Sequence, residues 1–116
     1  MKKLLLFPLI AWMMLASCGD ASENASEEAS SEEGCLSLPG VLIHVSRPLC
    51  VRIKGLDEHG ETAESISSDQ FARVWQHEFD HLDGVLIVDR MSPKDRLVHR
   101  RTLKEMRAAF ETSNGV

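Results

Sequence analysis

The apolar residues between residues 66 and 84 follow a helical pattern. Positions three, four or seven apart lie on one face of an α-helix, so the pattern predicts a helix of about four turns with one buried side. Ser67 or Ser68 is a suitable residue to cap its start, and Gly84 a suitable residue to end it. The predicted buried side consists of Ile66, Phe71, Val74, Trp75 and Leu82.

Short β-rich runs lie before this helix, at residues 41–45 and 49–53. The second run alternates apolar and polar residues, as a half-buried strand does. Residues 57–60 predict a turn and residues 61–65 a weaker returning strand. After the helix, the apolar run at 85–88 predicts one more short strand.

Ser92 followed by Pro93 is typical of a helix start, because serine caps and proline suits the first helical position. We expect this second helix to reach about Phe110 and to pack four apolar side chains inward: Leu97, Leu103, Met106 and Phe110. The elements together predict an α+β fold, with a small antiparallel sheet packed on the central helix and a C-terminal helix.

The first 32 residues have a different composition. Residues 1–18 combine a positive start, an apolar run and "LASC", which resembles the lipobox of bacterial lipoproteins and predicts a signal with lipidation of Cys18. Residues 19–32 are small and acidic, so they predict a disordered linker. The folded domain is therefore predicted at residues 33–116.

Charge and length limit the function classes. The chain has 116 residues and a net charge of -5, with 27% charged and 43% hydrophobic residues. Such a chain forms one small domain at most, and its basic residues are mixed with acidic ones. We expect no direct nucleic-acid binding, and the sequence leaves the oligomeric state open.

The segment "WQHEFDHLDG", residues 75–84, carries candidate metal chemistry. His77 and His81 are four residues apart, so on a helix they point to the same side and can bind one ion. A catalytic metal usually has three protein ligands and one open position. Cys35, in the short segment "EGCLSLPG" at residues 33–40, is a candidate for the third ligand.

Together, the segments "EGCLS" and "QHEFDHLDG" resemble two signature motifs of the peptide deformylase family. This resemblance implies that Cys35, His77 and His81 bind one metal ion per chain. It implies ferrous iron, with zinc, nickel or cobalt as substitutes, and N-formylmethionyl peptides as substrates. Glu78 would be the general acid and base, and the backbone N–H of Leu36 would bind the oxyanion.

Three further residues are expected to support the site. By resemblance, Asp80 and Arg47 are supporting residues, and Arg47 is placed to pair with Glu33 and brace the cysteine loop. Unpaired surface charges are the alternative interpretation for Glu33 and Arg47.

The chain also departs from the family pattern. Nothing in residues 1–32 resembles the glycine-rich GxGxAAxQ motif, whose glutamine helps to hold the oxyanion in the family, and Leu42 stands where many members have arginine. So short a domain has a small core, which predicts that metal binding stabilises the fold.

The sequence leaves alternatives open for both the location and the function of the protein. Deformylation of nascent chains implies the cytoplasm, whereas a lipidated Cys18 would anchor the domain outside the inner membrane, where Cys35 and Cys50 could form a disulfide. The alternatives to a deformylase are a non-catalytic exported metal-binding remnant and an exported HExxH metallopeptidase with other substrates.

Overall fold

The computed structural model describes residues 13–15 and 27–115. The strands are β1 (Met13–Leu15), β2 (Glu28–Glu33), β3 (Ile43–Pro48), β4 (Cys50–Leu56) and β5 (Thr62–Ser68). The helices are α1 (Asp69–Leu82), a 3-10 helix (Ile87–Arg90), α2 (Pro93–Val98) and α3 (Arg100–Ser113). Cys18 and residues 1–12 and 16–26 lie outside the described residues, so the predicted signal and most of the predicted linker do too.

The contacts divide the chain into two compact units. Among the described residues, the first contains β1, β4, β5 and α1 as far as Glu78. The second contains residues 30–46 and 79–115.

The first unit is built on a three-stranded antiparallel sheet in the order β1-β4-β5. Alternation buries Val51 and Ile53 of β4, as the sequence pattern predicts. On the opposite face, the cations Arg52 and Lys54 both pair with Glu64 of β5, the residue directly across from Lys54. The predicted turn at Asp57–Gly60 is confirmed, because the Asp57 carboxylate accepts hydrogen bonds from the backbone of His59 and Glu61.

The second unit has its own small core. Ile43 and Val45 of β3 pack with three other buried residues, and the apolar side chains of Leu103 and Met106 on α3 lie partly buried against them. The inward packing predicted for Leu103 and Met106 is therefore confirmed. The buried residues that complete this core are Val41, Ile87 and Met91.

Two predictions about strands need correction. Residues 28–32, assigned above to the linker, belong to β2, because backbone pairing with β3 holds even a small, acidic segment in a strand. Residues 85–88 are not a strand: Asp89 accepts a hydrogen bond from the Leu86 N–H and closes a 3-10 turn instead. Ser67 and Ser68 end β5 and directly precede Asp69, where α1 begins, so capping of α1 by one of them stays a prediction.

The C-terminal region forms two helices rather than one. Ser92 caps α2 and Pro93 opens it, as predicted, but the helix ends at Val98. His99 lies between α2 and α3, and its ring nitrogen Nε2 is 2.9 Å from the Leu42 carbonyl oxygen. Leu97 and Phe110 are exposed, so their predicted inward packing is wrong.

The predicted buried side of α1 is also wrong, apart from Trp75, which is half-buried. The buried residues of this helix are Ala72, Arg73 and Gln76, whereas Phe71, Val74 and Leu82 are exposed, as is Ile66 at the end of β5. The two long polar side chains are tolerated inside because backbone oxygens accept their hydrogen bonds. Arg73 donates to Ala29, and Gln76 to Pro48 and Ala72.

Candidate metal centre

Helix α1 places three site residues within little more than one turn. His77 and His81 are four residues apart, which puts them on the same side of the helix. Glu78 follows His77 directly and is exposed. The HExxH motif therefore places both histidines on one side of a helix, as the sequence predicts.

The end of α1 is fixed one turn after His81. Gly84 has a φ of +76° and donates to the His81 carbonyl, while Val85 donates to the Asp80 carbonyl. This pair of bonds is a Schellman motif, which glycine favours because it has no Cβ to strain a positive φ. The glycine predicted to end the helix therefore also fixes the backbone around His81.

Cys35 lies in a tight loop that follows β2. The Leu38 N–H donates to the Cys35 carbonyl at 2.9 Å, and the Ser37 hydroxyl donates to the Cys35 sulfur at 3.0 Å. A donor at the sulfur stabilises negative charge there, and the thiolate is the form of cysteine that binds metals. A Cβ at Gly34 would come within 3.0 Å of the Leu42 side chain, so the small residue before the cysteine suits the close packing of this loop.

The loop and the helix bring three ligand atoms together. Cys35 Sγ lies 3.5 Å from His81 Nε2, and the ligand atoms of Cys35, His77 and His81 all lie within 4.8 Å of one another. Two ligands at the usual zinc–sulfur and zinc–nitrogen distances, with a tetrahedral angle between them, lie about 3.5 Å apart. One thiol and two imidazoles with this separation fit a single transition-metal ion.

The state of the cysteines agrees with this fit. Cys35 is not part of a disulfide, so the pairing of Cys35 with Cys50 considered above is not formed in the structure. Cys35 and His77 are both half-buried. Their donor atoms can therefore bind an ion that is partly shielded from solvent.

Asp80 has a partner that the sequence analysis missed. Arg90, in the 3-10 helix, donates from Nε to Asp80 Oδ2 at 3.0 Å and from a terminal nitrogen to Oδ1. This two-pronged ion pair joins the end of α1 to the segment that follows it, next to His81. No local pattern marks Arg90, because it meets Asp80 only after the chain has turned at Gly84.

The other predicted supporting residues are buried. Glu33 is 7% exposed and Arg47 is 4% exposed, which excludes the surface-charge interpretation given above. Among the residues that the structure describes, every buried side-chain nitrogen and oxygen has a hydrogen-bond partner. A direct pair between Glu33 and Arg47 stays a prediction.

Leu36, beside Cys35, has a fully exposed side chain.

With this geometry established, comparison with known proteins identifies the family. The family model for polypeptide deformylase matches residues 19–97, which is more than half of the chain. This chain belongs to the peptide deformylase family. The match begins ahead of residue 33, so it agrees with β2 as part of the fold.

Individual relatives support the same assignment. A peptide deformylase of Rickettsia akari is 45% identical over 85 residues, which are 73% of this chain and 49% of the relative. One from Thermotoga maritima is 44% identical over 80 residues, or 69% of this chain and 49% of the relative. A crystal structure of peptide deformylase 1B from Arabidopsis thaliana, in complex with an inhibitor, superposes with a TM-score of 0.77 at 32% identity.

The structural match covers 91% of this chain and 55% of the Arabidopsis chain. The predicted α+β class is therefore confirmed. The chain spans about half the length of the deformylases that it matches. In the described part of the chain, no helix combines the length and the apolar character needed to cross a membrane.

Proposed function

We propose that this chain is a metal-dependent hydrolase that removes the formyl group from N-formylmethionyl peptides. The observation that carries the proposal is the convergence of Cys35, His77 and His81 beside Glu78, in a member of the peptide deformylase family. The reaction breaks the bond between the formyl carbon and the amino nitrogen, and yields formate and a free N-terminal amine.

The residues have separate roles in this proposal. Cys35, His77 and His81 hold a divalent ion, which supplies the Lewis acidity that makes water attack feasible at neutral pH. Glu78 takes a proton from the attacking water and delivers it to the leaving amine. The Leu36 N–H donates to the oxygen that gains negative charge. Asp80 positions His81 through its ion pair with Arg90.

Ferrous iron is the metal that we propose, because the resemblance to the family implies it. A ligand set of one thiolate and two imidazoles also suits zinc, nickel and cobalt. Because the donor set admits several metals, the native one is identified by measuring the metal content of the chain as purified without oxygen.

A non-catalytic, metal-binding protein is the second candidate. The observation that favours it is the lack of the GxGxAAxQ motif in residues 1–32. Loss of one oxyanion donor commonly lowers turnover about 100- to 1,000-fold. An inactive chain would bind the metal but would not hydrolyse formyl peptides.

The test is anaerobic hydrolysis by the full chain loaded with iron. A formyl-Met tripeptide is compared with its acetylated and unblocked forms, and release of formate is measured together with cleavage of peptide bonds. We expect formate from the formylated peptide alone. Cleavage of peptide bonds would instead indicate a metallopeptidase, and no hydrolysis by a folded, metal-bound chain would indicate the non-catalytic candidate.

Location is proposed separately from activity. Deformylation of nascent chains requires the cytoplasm, whereas the predicted lipid on Cys18 would anchor the domain to a membrane. Cleavage ahead of Cys18 would also remove β1, which pairs with β4. The two proposals for its location are therefore the cytoplasm, with the N-terminal residues retained, and the membrane, with Cys18 lipidated. The mass of the intact protein purified from cells decides this, because cleavage and lipidation each change the mass.

A further inference from the structure

His99 connects the two C-terminal helices to the segment that leads into β3. Its ring nitrogen Nε2 lies 2.9 Å from the Leu42 carbonyl oxygen. A carbonyl oxygen only accepts hydrogen bonds, so the ring carries a proton on Nε2 and donates it to Leu42. The bond therefore joins the junction of α2 and α3 to the residue that directly precedes β3.

Backbone hydrogen bonds fix His99 at this junction. The His99 N–H donates to the Asp95 carbonyl at 2.9 Å, and the His99 carbonyl accepts from the Leu103 N–H at 2.9 Å. Leu103 in turn packs against the core of the second unit. The half-buried ring of His99 therefore extends from a backbone that is held by both α2 and α3.

Leu42 lies close to the residue that precedes Cys35. A Cβ at Gly34 would come within 3.0 Å of Leu42 Cδ2 and 3.5 Å of the Val41 carbonyl oxygen. Val41 is buried, and Cys35 packs against the core to which Val41 belongs. The positions of Val41 and Leu42 therefore limit where the backbone of Gly34 and Cys35 can lie.

The loop between β2 and β3, residues 34–42, carries Cys35 and is called the cysteine loop. Within it, the Leu38 N–H donates to the Cys35 carbonyl, and the Val41 N–H donates to the Leu38 carbonyl. These bonds form two successive turns between Cys35 and Val41. His99 holds the end of the loop from outside it, and both belong to the same compact unit. A displacement of Leu42 therefore reaches Cys35 through the two turns.

We propose that His99 is a positioning residue for the metal centre. Its bond to the Leu42 carbonyl holds the end of the cysteine loop, and this loop places the Cys35 sulfur beside the His81 ring. Without the donor, the loop would adopt additional conformations, and the sulfur would occupy the ligand position for less of the time. The consequence for metal binding rests on the proposed function, whereas the effect on the loop does not.

The rate at which iodoacetamide alkylates Cys35 in the metal-free full chain tests the effect on the loop. Alkylation of a half-buried thiol increases with local opening, so His99→Phe, which keeps a ring but has no donor, should raise the rate at least threefold. His99→Gln can donate from a side-chain nitrogen at about the same distance from the backbone. It should restore a rate close to that of the parent, and mass spectrometry of the peptide that contains Cys35 measures all three chains.

Arg96→Met is the matched control. Arg96 of α2 also donates from its side chain to a backbone carbonyl, that of Val88 in the 3-10 helix, at 3.0 Å. Its loss removes a similar bond that does not involve the cysteine loop. We expect the parental alkylation rate for this variant, whereas a general loss of stability would raise the rate in Arg96→Met as well as in His99→Phe.

Titration with Co²⁺ tests the consequence for the metal. His99→Phe should weaken Co²⁺ binding about fivefold and lower the thiolate–cobalt absorption at equal Co²⁺ concentration, and His99→Gln should restore both. Equal alkylation rates in the parent and His99→Phe would overturn the proposal, as would a rate in His99→Gln as high as in His99→Phe. Release of formate from a formyl-Met tripeptide is measured on the same chains. Changed alkylation and Co²⁺ binding in chains that release no formate would support the role of His99 and contradict the proposed function alone.

Discussion

At the scale of single residues, the separation between the Cys35 sulfur and the His81 nitrogen is the most informative distance. It matches the spacing of two ligands on one tetrahedral ion. We predict that Co²⁺ binds one per chain and gives the absorption of a thiolate–cobalt bond. Cys35→Ser should lose this absorption and weaken binding at least tenfold, since the sulfur ligand is gone.

The matched control for this titration is His59→Gln. His59 is an exposed histidine in the β4–β5 turn, so its loss should leave both the absorption and the affinity unchanged. A Cys35→Ser chain that kept the parental spectrum would show that another group supplies the sulfur ligand, and the proposed site would be wrong.

Most residues of the candidate site, but not all, could be predicted from the sequence. Cys35, His77, Glu78 and His81 could be found because each lies in a short motif whose spacing has a chemical meaning. Arg90 could not be found, since its contact with Asp80 exists only after the chain has turned. The burial of Glu33 and Arg47 was also left open, because burial depends on packing that no local pattern records.

At the scale of elements, the Asp80–Arg90 pair holds the end of α1 against the 3-10 helix. We predict that Arg90→Met lowers the free energy of unfolding by about 1–2 kcal/mol, because the carboxylate of Asp80 loses its charged partner. Arg101→Met is the control: its pair with Glu105 is exposed on one helix face, so it should lower that energy by less than about 0.5 kcal/mol. Urea unfolding measures both, and equal effects would contradict the structural role of Arg90.

The start of α2 predicts a pH dependence. Hydrogen bonds from Ser92, above all from its side chain, hold the pKa of Asp95 below its ordinary value. A carboxylate with a lowered pKa in the folded state stabilises that state above its unfolded pKa, and the contribution is lost as the pH falls through the folded pKa. Asp95→Asn should therefore lower the melting temperature at pH 7 but not in acid.

Thermal melts of the parent and of Asp95→Asn between pH 7 and about pH 2.5 measure this difference, because this range extends below the pKa of about 3.9 of an unperturbed aspartate. Ser92→Ala should remove most of the same pH dependence, because Ser92 donates the bonds that lower the pKa. A constant difference between parent and variant over the whole range would contradict the role assigned to the carboxylate.

Elements could be predicted where one local signal dominates. Ser92 and Pro93 mark the start of α2, and Gly84 marks the end of α1. The apolar run at 85–88 was misleading because apolar residues fill a core in a 3-10 turn as well as in a strand. The face of α1 was misjudged for a related reason: the pattern identifies an apolar side but not what covers it.

At the scale of the whole molecule, the part of the chain that the structure describes buries few apolar side chains. Within the described residues, the buried apolar side chains come from eight positions, divided between two units. A ligand that binds only the folded state stabilises it by about 2.7 kcal/mol at 100 times its dissociation constant. We therefore predict that a metal chelator lowers the melting temperature of the parent chain.

Cys35→Ser provides the comparison, because its melting temperature should respond little to metal or chelator. Differential scanning calorimetry with and without metal measures both chains. The prediction would be wrong if the parent melted at the same temperature with and without metal while metal analysis showed that the site was filled. Metal binding would then not stabilise the fold.

The most direct test of the proposed chemistry compares the parent with Glu78→Gln, using metal content and release of formate from a formyl-Met tripeptide in the same anaerobic samples. The variant keeps all three proposed ligands but has no carboxylate to move a proton. We predict equal metal content, with formate released by the parent and turnover at least 100-fold lower in the variant. Formate release at the parental rate by Glu78→Gln would contradict the proposed mechanism.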